Sequence, residues 1–111
     1  ANFENIGGLK VRAPVKSAGV VVGRIADIRF DNKDYVARVT LSLENRYQFP
    51  RDTFASVLTS GLLGEQYVGL DAGGDSEILQ AGETIKKTQS AVVLEKLIGQ
   101  FLFNKAEGDK K

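Results

Sequence analysis

Tyr35-Val36-Ala37-Arg38-Val39-Thr40-Leu41-Ser42-Leu43-Glu44 alternates without a break. Tyr35, Ala37, Val39, Leu41 and Leu43 fall on one side of an extended chain. Arg38, Thr40, Ser42 and Glu44 form most of the other, the period of two that marks a strand. A strand apolar on one face and polar on the other belongs to an antiparallel sheet with one side on the core and one in water.

The flanking sequence continues the pattern. Asp31-Asn32-Lys33-Asp34 reads as a polar hairpin turn. It is not a calcium loop, because neither the central Gly nor the closing Glu follows. Upstream, Val20-Val21-Val22 starts a strand that Gly23 interrupts, the mark of a bulge or tight bend. The run resumes through Ile25, Ile28 and Phe30 without clean alternation, as a change of register requires. Before it, Gly7-Gly8 opens a run in which Leu9, Val11 and Ala13 alternate with Lys10 and Arg12, predicting a half-buried strand that Pro14 confines to an edge or a turn. Lys16-Ser17-Ala18-Gly19 reads as a connection.

Downstream, Pro50-Arg51-Asp52 is a break, and Ala55 to Thr59 and Gln66 to Leu70 are short strands, the second with Val68 and Leu70 on one face. Gly73-Gly74-Asp75 is a loop. Ile78-Leu79, Gly82 and Thr84-Ile85 complete a β region over residues 7–88. Short strands joined by Gly/Asp turns predict an all-β sandwich or small antiparallel barrel. Closure into a barrel removes the open edges that invite aggregation.

After Thr88 the period changes. Ser90 is a candidate helix cap, and Leu94, Leu97, Ile98 and Phe101 recur at i, i+3, i+4 and i+7. Val92, Val93, Leu102 and Phe103 widen the apolar surface, and Gly99 weakens the helix by about 1 kcal/mol relative to Ala. Residues 89–103 are therefore expected to form one amphipathic helix. Such a helix is marginal alone in water and must pack, either on the barrel wall or against copies of itself. The polar stretch 104–111 is expected to fray. The division is thus a barrel over 1–88, a helix over 89–103 and a tail over 104–111.

Composition excludes several function classes. The 111 residues carry 15 Lys+Arg against 14 Asp+Glu with the signs interleaved, which is no nucleic-acid footprint. With no Cys and no His, zinc sites, thiol chemistry and histidine acid–base schemes are excluded for this stretch. No apolar run approaches the ~20 residues of a spanning helix, and no signal peptide is visible. A first residue of Ala rather than Met fits a soluble piece of a longer protein.

The most informative stretch for function is Ser60-Gly61-Leu62-Leu63-Gly64-Glu65-Gln66-Tyr67. Adjacent leucines cannot both face one core from a regular strand, and the flanking glycines favour a turn. This predicts a short loop or bulged hairpin tip with an apolar knuckle. Leaving the leucines in water forgoes roughly 1.5–3 kcal/mol each. From the residues alone, three covers remain open: the domain's own core, another subunit, or an apolar ligand. Catalysis is poorly supported, because Ser60 has no His and no fixed Lys beside it, and Asp27, Glu44, Glu65 and Asp71 are isolated acids. Gly69, Gly73 and Gly74 do not form a phosphate cradle. Arg24, Arg29, Arg38 and Arg46 read as outward strand positions.

Gly19-Val20-Val21-Val22-Gly23-Arg24-Ile25, then Ala37-Arg38-Val39-Thr40-Leu41, then Thr59-Ser60-Gly61-Leu62-Leu63-Gly64-Glu65-Gln66-Tyr67 resemble the MCE domain family. The closing Ser90 to Leu102 resembles a lipid-transport branch of it. The resemblance covers nearly the whole chain and implies a small β-barrel that assembles as a homohexameric ring. It implies that Leu62 and Leu63 point into a central apolar pore, and that Leu94, Leu97, Ile98, Phe101 and Leu102 belong to helices bundled around the axis. It further implies an N-terminal inner-membrane anchor outside this chain, so that the chain is a periplasmic portion. The implied partners are an ABC permease, its ATPase, a small cytoplasmic regulatory subunit and a soluble periplasmic lipid carrier. The implied ligand is glycerophospholipid, with no cofactor, metal or catalytic residue. A lipid-free ring that tethers envelope complexes is the competing expectation.

Overall fold

In the computed structural model, residues 1–61 and 64–91 are described. Their elements are β1 (Asn2–Phe3), β2 (Pro14–Ser17), β3 (Val20–Asp31), β4 (Val36–Leu43), β5 (Phe54–Thr59), β6 (Gln66–Asp71) and β7 (Lys87–Gln89). All seven belong to one sheet in the order β1-β4-β3-β2-β6-β5-β7. The two outer strands are brought together by Thr88 Oγ1, which donates to the Asn2 carbonyl at 2.8 Å. Beyond it the Asn5 carbonyl accepts the Ala91 N–H at 2.9 Å. The sheet is therefore an almost closed barrel, and among the described residues it is all-β.

The alternation of Tyr35 to Glu44 is realised with one exception. Val39 is 1 % exposed, Leu41 and Leu43 pack against the core, and Arg38, Thr40, Ser42 and Glu44 face water. Tyr35 does not join the inner face. It ends the turn in a left-handed conformation (φ 54°), and its N–H reaches back to the Asp31 carbonyl at 2.8 Å. Asp31 Oδ1 accepts the N–H groups of Lys33 and Asp34, the local bonding that suits an acid to a turn. Those donors, chiefly Lys33 and then Asp34, hold the Asp31 carboxyl below its ordinary pKa, with Arg38 adding to the effect. Phe30, expected in the apolar run, is 65 % exposed and stacks obliquely on Tyr35 at 6.1 Å. At this end of the hairpin both aromatic side chains are left in water.

The irregularity expected around Gly23 is present, and it occurs twice. Pairing of β3 with β2 shifts between Val15↔Gly23 and Lys16↔Val21, and pairing with β4 shifts between Ile25↔Leu41 and Asp27↔Thr40. Each shift inserts one unpaired residue, Val22 or Ala26, and sharpens the bend a small barrel needs. A Cβ at Gly23 would overlap the Ser42 carbonyl oxygen and lie 2.9 Å from Leu43 Cα, so close approach of β4 dictates glycine here.

Three expectations are corrected. Residues 9–13 are not a strand: the Leu9 N–H bonds Ile6 O at 3.1 Å, the Ala13 N–H bonds Lys10 O at 3.2 Å, and Arg12 is left-handed at φ 75°. These turns bury Leu9 but leave Val11 48 % exposed, so the alternation has no single inner face. Pro14 opens β2 rather than ending a strand, and Lys16 and Ser17 lie within β2, leaving Ala18-Gly19 as the hairpin loop. The barrel is also not wholly antiparallel. β2 pairs β6 in parallel at Val15↔Val68, and β5 pairs β7 in parallel at Ala55↔Thr88. Parallel partners need long crossovers, and local alternation cannot report them.

Phe3, Val15, Ile25, Val39, Val68 and Leu70 fill the interior, each at most 1 % exposed. Each such side chain contributes about 1.5–3 kcal/mol. Gln89, placed at the start of the expected helix, ends β7. Ser90 Oγ, the proposed cap, accepts the Asn5 N–H at 3.1 Å. Residues 92–103 of that helix and the tail lie outside the described residues.

Candidate functional site

The glycine-bounded tip is the end of the β5–β6 hairpin. Their antiparallel ladder runs from Phe54↔Asp71 to Thr59↔Gln66. Beyond it, the Ser60 N–H donates to the Glu65 carbonyl at 3.0 Å, so the tip is closed by one further main-chain bond. Gly61 is left-handed (φ 68°), the turn-forming conformation expected of it. Gly64 meets a different demand: a Cβ there would overlap the Ser60 carbonyl oxygen. Both glycines and Ser60 are exposed. Ser60, Gly61, Gly64 and Glu65 therefore stand in water beyond the end of the β5–β6 ladder.

Leu62 and Leu63, the two side chains this turn carries, lie outside the described residues. So do Leu94, Leu97, Ile98, Phe101 and Leu102. What the fold brings near the tip is the N-terminal segment. Gln66 Oε1 accepts the Gly8 N–H, and Gln66 Nε2 donates to Thr59 Oγ1 at 3.4 Å. Periodicity could not reveal this contact, because it joins a strand end to a turn 58 residues away.

The other residues weighed from sequence occupy surface positions. Arg29 pairs Asp27 at 2.7 Å, Arg38 pairs Asp31 at 2.7 Å, and Arg46 pairs Glu44 at 3.2 Å. Arg24 donates to the Arg12 carbonyl at 3.4 Å. Glu65 and Asp71 are exposed. Lys16 Nζ sits 4.9 Å from the centre of the Tyr67 ring, a cation–π contact on the outer wall. Asp52 accepts the Gly74 and Asp75 N–H groups at 2.9 and 3.0 Å and so pins the 73–75 loop. The same bonds, Asp75 first, hold its carboxyl below the ordinary value. Apart from Glu65, whose carbonyl closes the tip, none of these groups is placed beside it by the contacts above.

A groove of about 920 Å³ runs between β4 and residues 78–85, walled by Leu41, Leu43, Tyr47, Phe49, Leu79 and Ile85. It shares no lining residue with the tip. Val39 exchanges both main-chain hydrogen bonds with Ala1, at 2.8 and 2.9 Å.

Comparison with known proteins agrees with the fold. The family model described as MlaD protein matches residues 1–73. The Intermembrane phospholipid transport system binding protein MlaD of Escherichia coli (strain K12) is 54 % identical over 117 aligned positions, covering 100 % of this chain and 64 % of that protein. The protein of the same description from Haemophilus influenzae is 49 % identical, covering 100 % of this chain and 70 % of its own length. The chain thus spans 64 % of the E. coli relative's length. A chain of the Acinetobacter MlaFEDB complex in its ATP-bound Vtrans1 conformation superposes with a TM-score of 0.82 at 27 % identity, over 90 % of this chain and 78 % of that one. With the family model spanning most of the barrel and near-half or greater identity over the full chain, this chain belongs to the MlaD protein family.

Proposed function

We propose that this chain is a non-catalytic, phospholipid-binding ring subunit of an inner-membrane ABC lipid transporter. In this reading it is the periplasmic part of a membrane-anchored protein. Copies of the barrel, six in the expected ring, surround a central apolar pore lined by Leu62 and Leu63. Leu94, Leu97, Ile98, Phe101 and Leu102 extend that pore along the axis. Glycerophospholipid passes through it between the membrane and a soluble periplasmic carrier, with the permease and ATPase as the other partners.

One structural observation carries the proposal: the barrel interior is filled. Val15, Val39 and Val68 are each at most 1 % exposed, so a single barrel offers no path for a lipid. A long acyl chain costs on the order of 10 kcal/mol to expose to water, so a path for it must be apolar and must lie outside the barrel. A ring of copies supplies one, repeating the Gly61–Gly64 tip at one radius and closing without open ends. The relatives' description as intermembrane phospholipid transport system binding proteins supports the same choice of ligand.

The test is lipid extraction and mass spectrometry of the purified, cross-linked oligomer. The proposal expects co-purified phospholipid. It also expects Leu62→Asn combined with Leu63→Asn to abolish lipid passage while leaving the melting temperature unchanged. An oligomer free of lipid would favour the competing tether, and normal passage by the double variant would reject the pore.

A further inference from the structure

We infer that Gln66 is a positioning residue that fixes the Gly61–Gly64 tip by clasping it to the Asn5–Gly8 turn. Its functional meaning rests on the lipid-passage reading above, but its geometry does not. Past the Thr59↔Gln66 pair, the Ser60–Glu65 bond is the one main-chain bond holding the two stems among the described residues. A two-residue extension held by one solvent-exposed bond belongs to the low-stability end of a fold and would swing freely. The Gln66 carboxamide removes that freedom. Its oxygen accepts from Gly8 and its nitrogen donates to Thr59 Oγ1, so one side chain gathers both stems onto a third segment.

That third segment is itself anchored. The Gly7 N–H donates to Asn5 Oδ1 at 2.7 Å, and the Asn5 N–H donates to Ser90 Oγ at 3.1 Å. The Asn5 carbonyl accepts from Ala91 at 2.9 Å, and Leu9, which follows, is buried in the core. The clasp therefore fastens the tip to the seam that closes the barrel. The carboxamide nitrogen ties the β6 stem to Thr59 on β5, and the oxygen alone reaches the anchored turn. Glutamate keeps that oxygen and alanine does not.

The 111 residues contain no cysteine, so Ser60→Cys, an exposed position, introduces one nitroxide site per copy of this stretch. Gln66→Ala in that background should shorten the label's rotational correlation time by about twofold or more, as expected of a released loop. Gln66→Glu should return it to the wild-type value. Melting curves of all variants are recorded alongside. Should Gln66→Ala fail to fold, Gln66→Met carries the test, since it keeps the length without the oxygen.

An unchanged spectrum for folded Gln66→Ala or Gln66→Met would overturn the inference. So would a Gln66→Glu spectrum as mobile as that of Gln66→Ala. Neither result bears on the pore. Conversely, normal lipid passage by the Leu62→Asn, Leu63→Asn protein would remove the pore reading and leave the clasp standing.

Discussion

A single methyl group at position 64 should spring the tip open. The Cβ of Gly64→Ala would overlap the Ser60 carbonyl oxygen, lie 2.7 Å from the Ser60 carbonyl carbon and 3.0 Å from Ser60 Cβ. The two closest obstacles are main-chain atoms, so no flexible side chain can yield. Two routes relieve the overlap. The backbone can take a strained conformation at about 1–3 kcal/mol, or the stems can part and lose the Ser60–Glu65 bond, worth about 1 kcal/mol. The second is cheaper, so the expected loss is about 1 kcal/mol, with the strain figure as its ceiling. For a domain of this size that lowers Tm by about 4–8 °C.

Gly61→Ala is the control. No heavy atom lies within 4 Å of its added Cβ, and only the left-handed φ of 68° penalises it. That penalty is about 1–2 kcal/mol, so thermal shifts alone do not separate the two variants. Amide hydrogen exchange does. Gly64→Ala should deprotect the Ser60 amide, whereas Gly61→Ala should leave the Ser60–Glu65 bond in place. A Ser60 amide as protected in Gly64→Ala as in wild type would refute the steric account of this glycine.

Two further outcomes follow from the barrel and its loops. Val68→Ala, at a fully buried site opposite Val57 and beside Val15, should destabilise by about 1.5–3 kcal/mol, read as a lower urea midpoint at unchanged slope. Asp52 has its folded pKa held below the ordinary 3.8 by the Asp75 and Gly74 amides, so its contribution is present above that value and lost as pH falls through the folded pKa. Asp52→Asn should therefore lower stability at neutral pH and flatten its decline below about pH 4, measured as urea midpoint against pH. Curves for the two proteins that stayed parallel through the acid range would show that Asp52 does not pin the 73–75 loop through its charge.

How far the fold was legible followed how local its causes are. Val39, Leu41 and Leu43 could be placed on an inner face because alternation along one strand is a property of neighbouring residues. The break at Gly23 was equally visible, since glycine inside a strand pattern marks a bulge. The parallel pairing of Val15 with Val68 was invisible, because it joins residues 53 apart and alternation carries no partner. Leu9, Val11 and Ala13 misled for a related reason. Their polarity alternates, but left-handed Arg12 turns the chain, so polarity and direction part company. At the site, Gly61 and Gly64 announced a turn, whereas the contact of Gln66 with Gly8 had no signal in either segment.

That asymmetry explains why the tip and the barrel closure belong to one problem. No strand pairing joins β1 to β7 among the described residues. Closure instead falls to side chains and single bonds: Thr88 to Asn2, Asn5 to Ser90, and Ala91 to Asn5. The segment making these contacts is the same one that offers its Gly8 amide to Gln66. The Asn5–Gly8 turn thus does two jobs, sealing the barrel and bracing the hairpin whose tip carries Leu62 and Leu63.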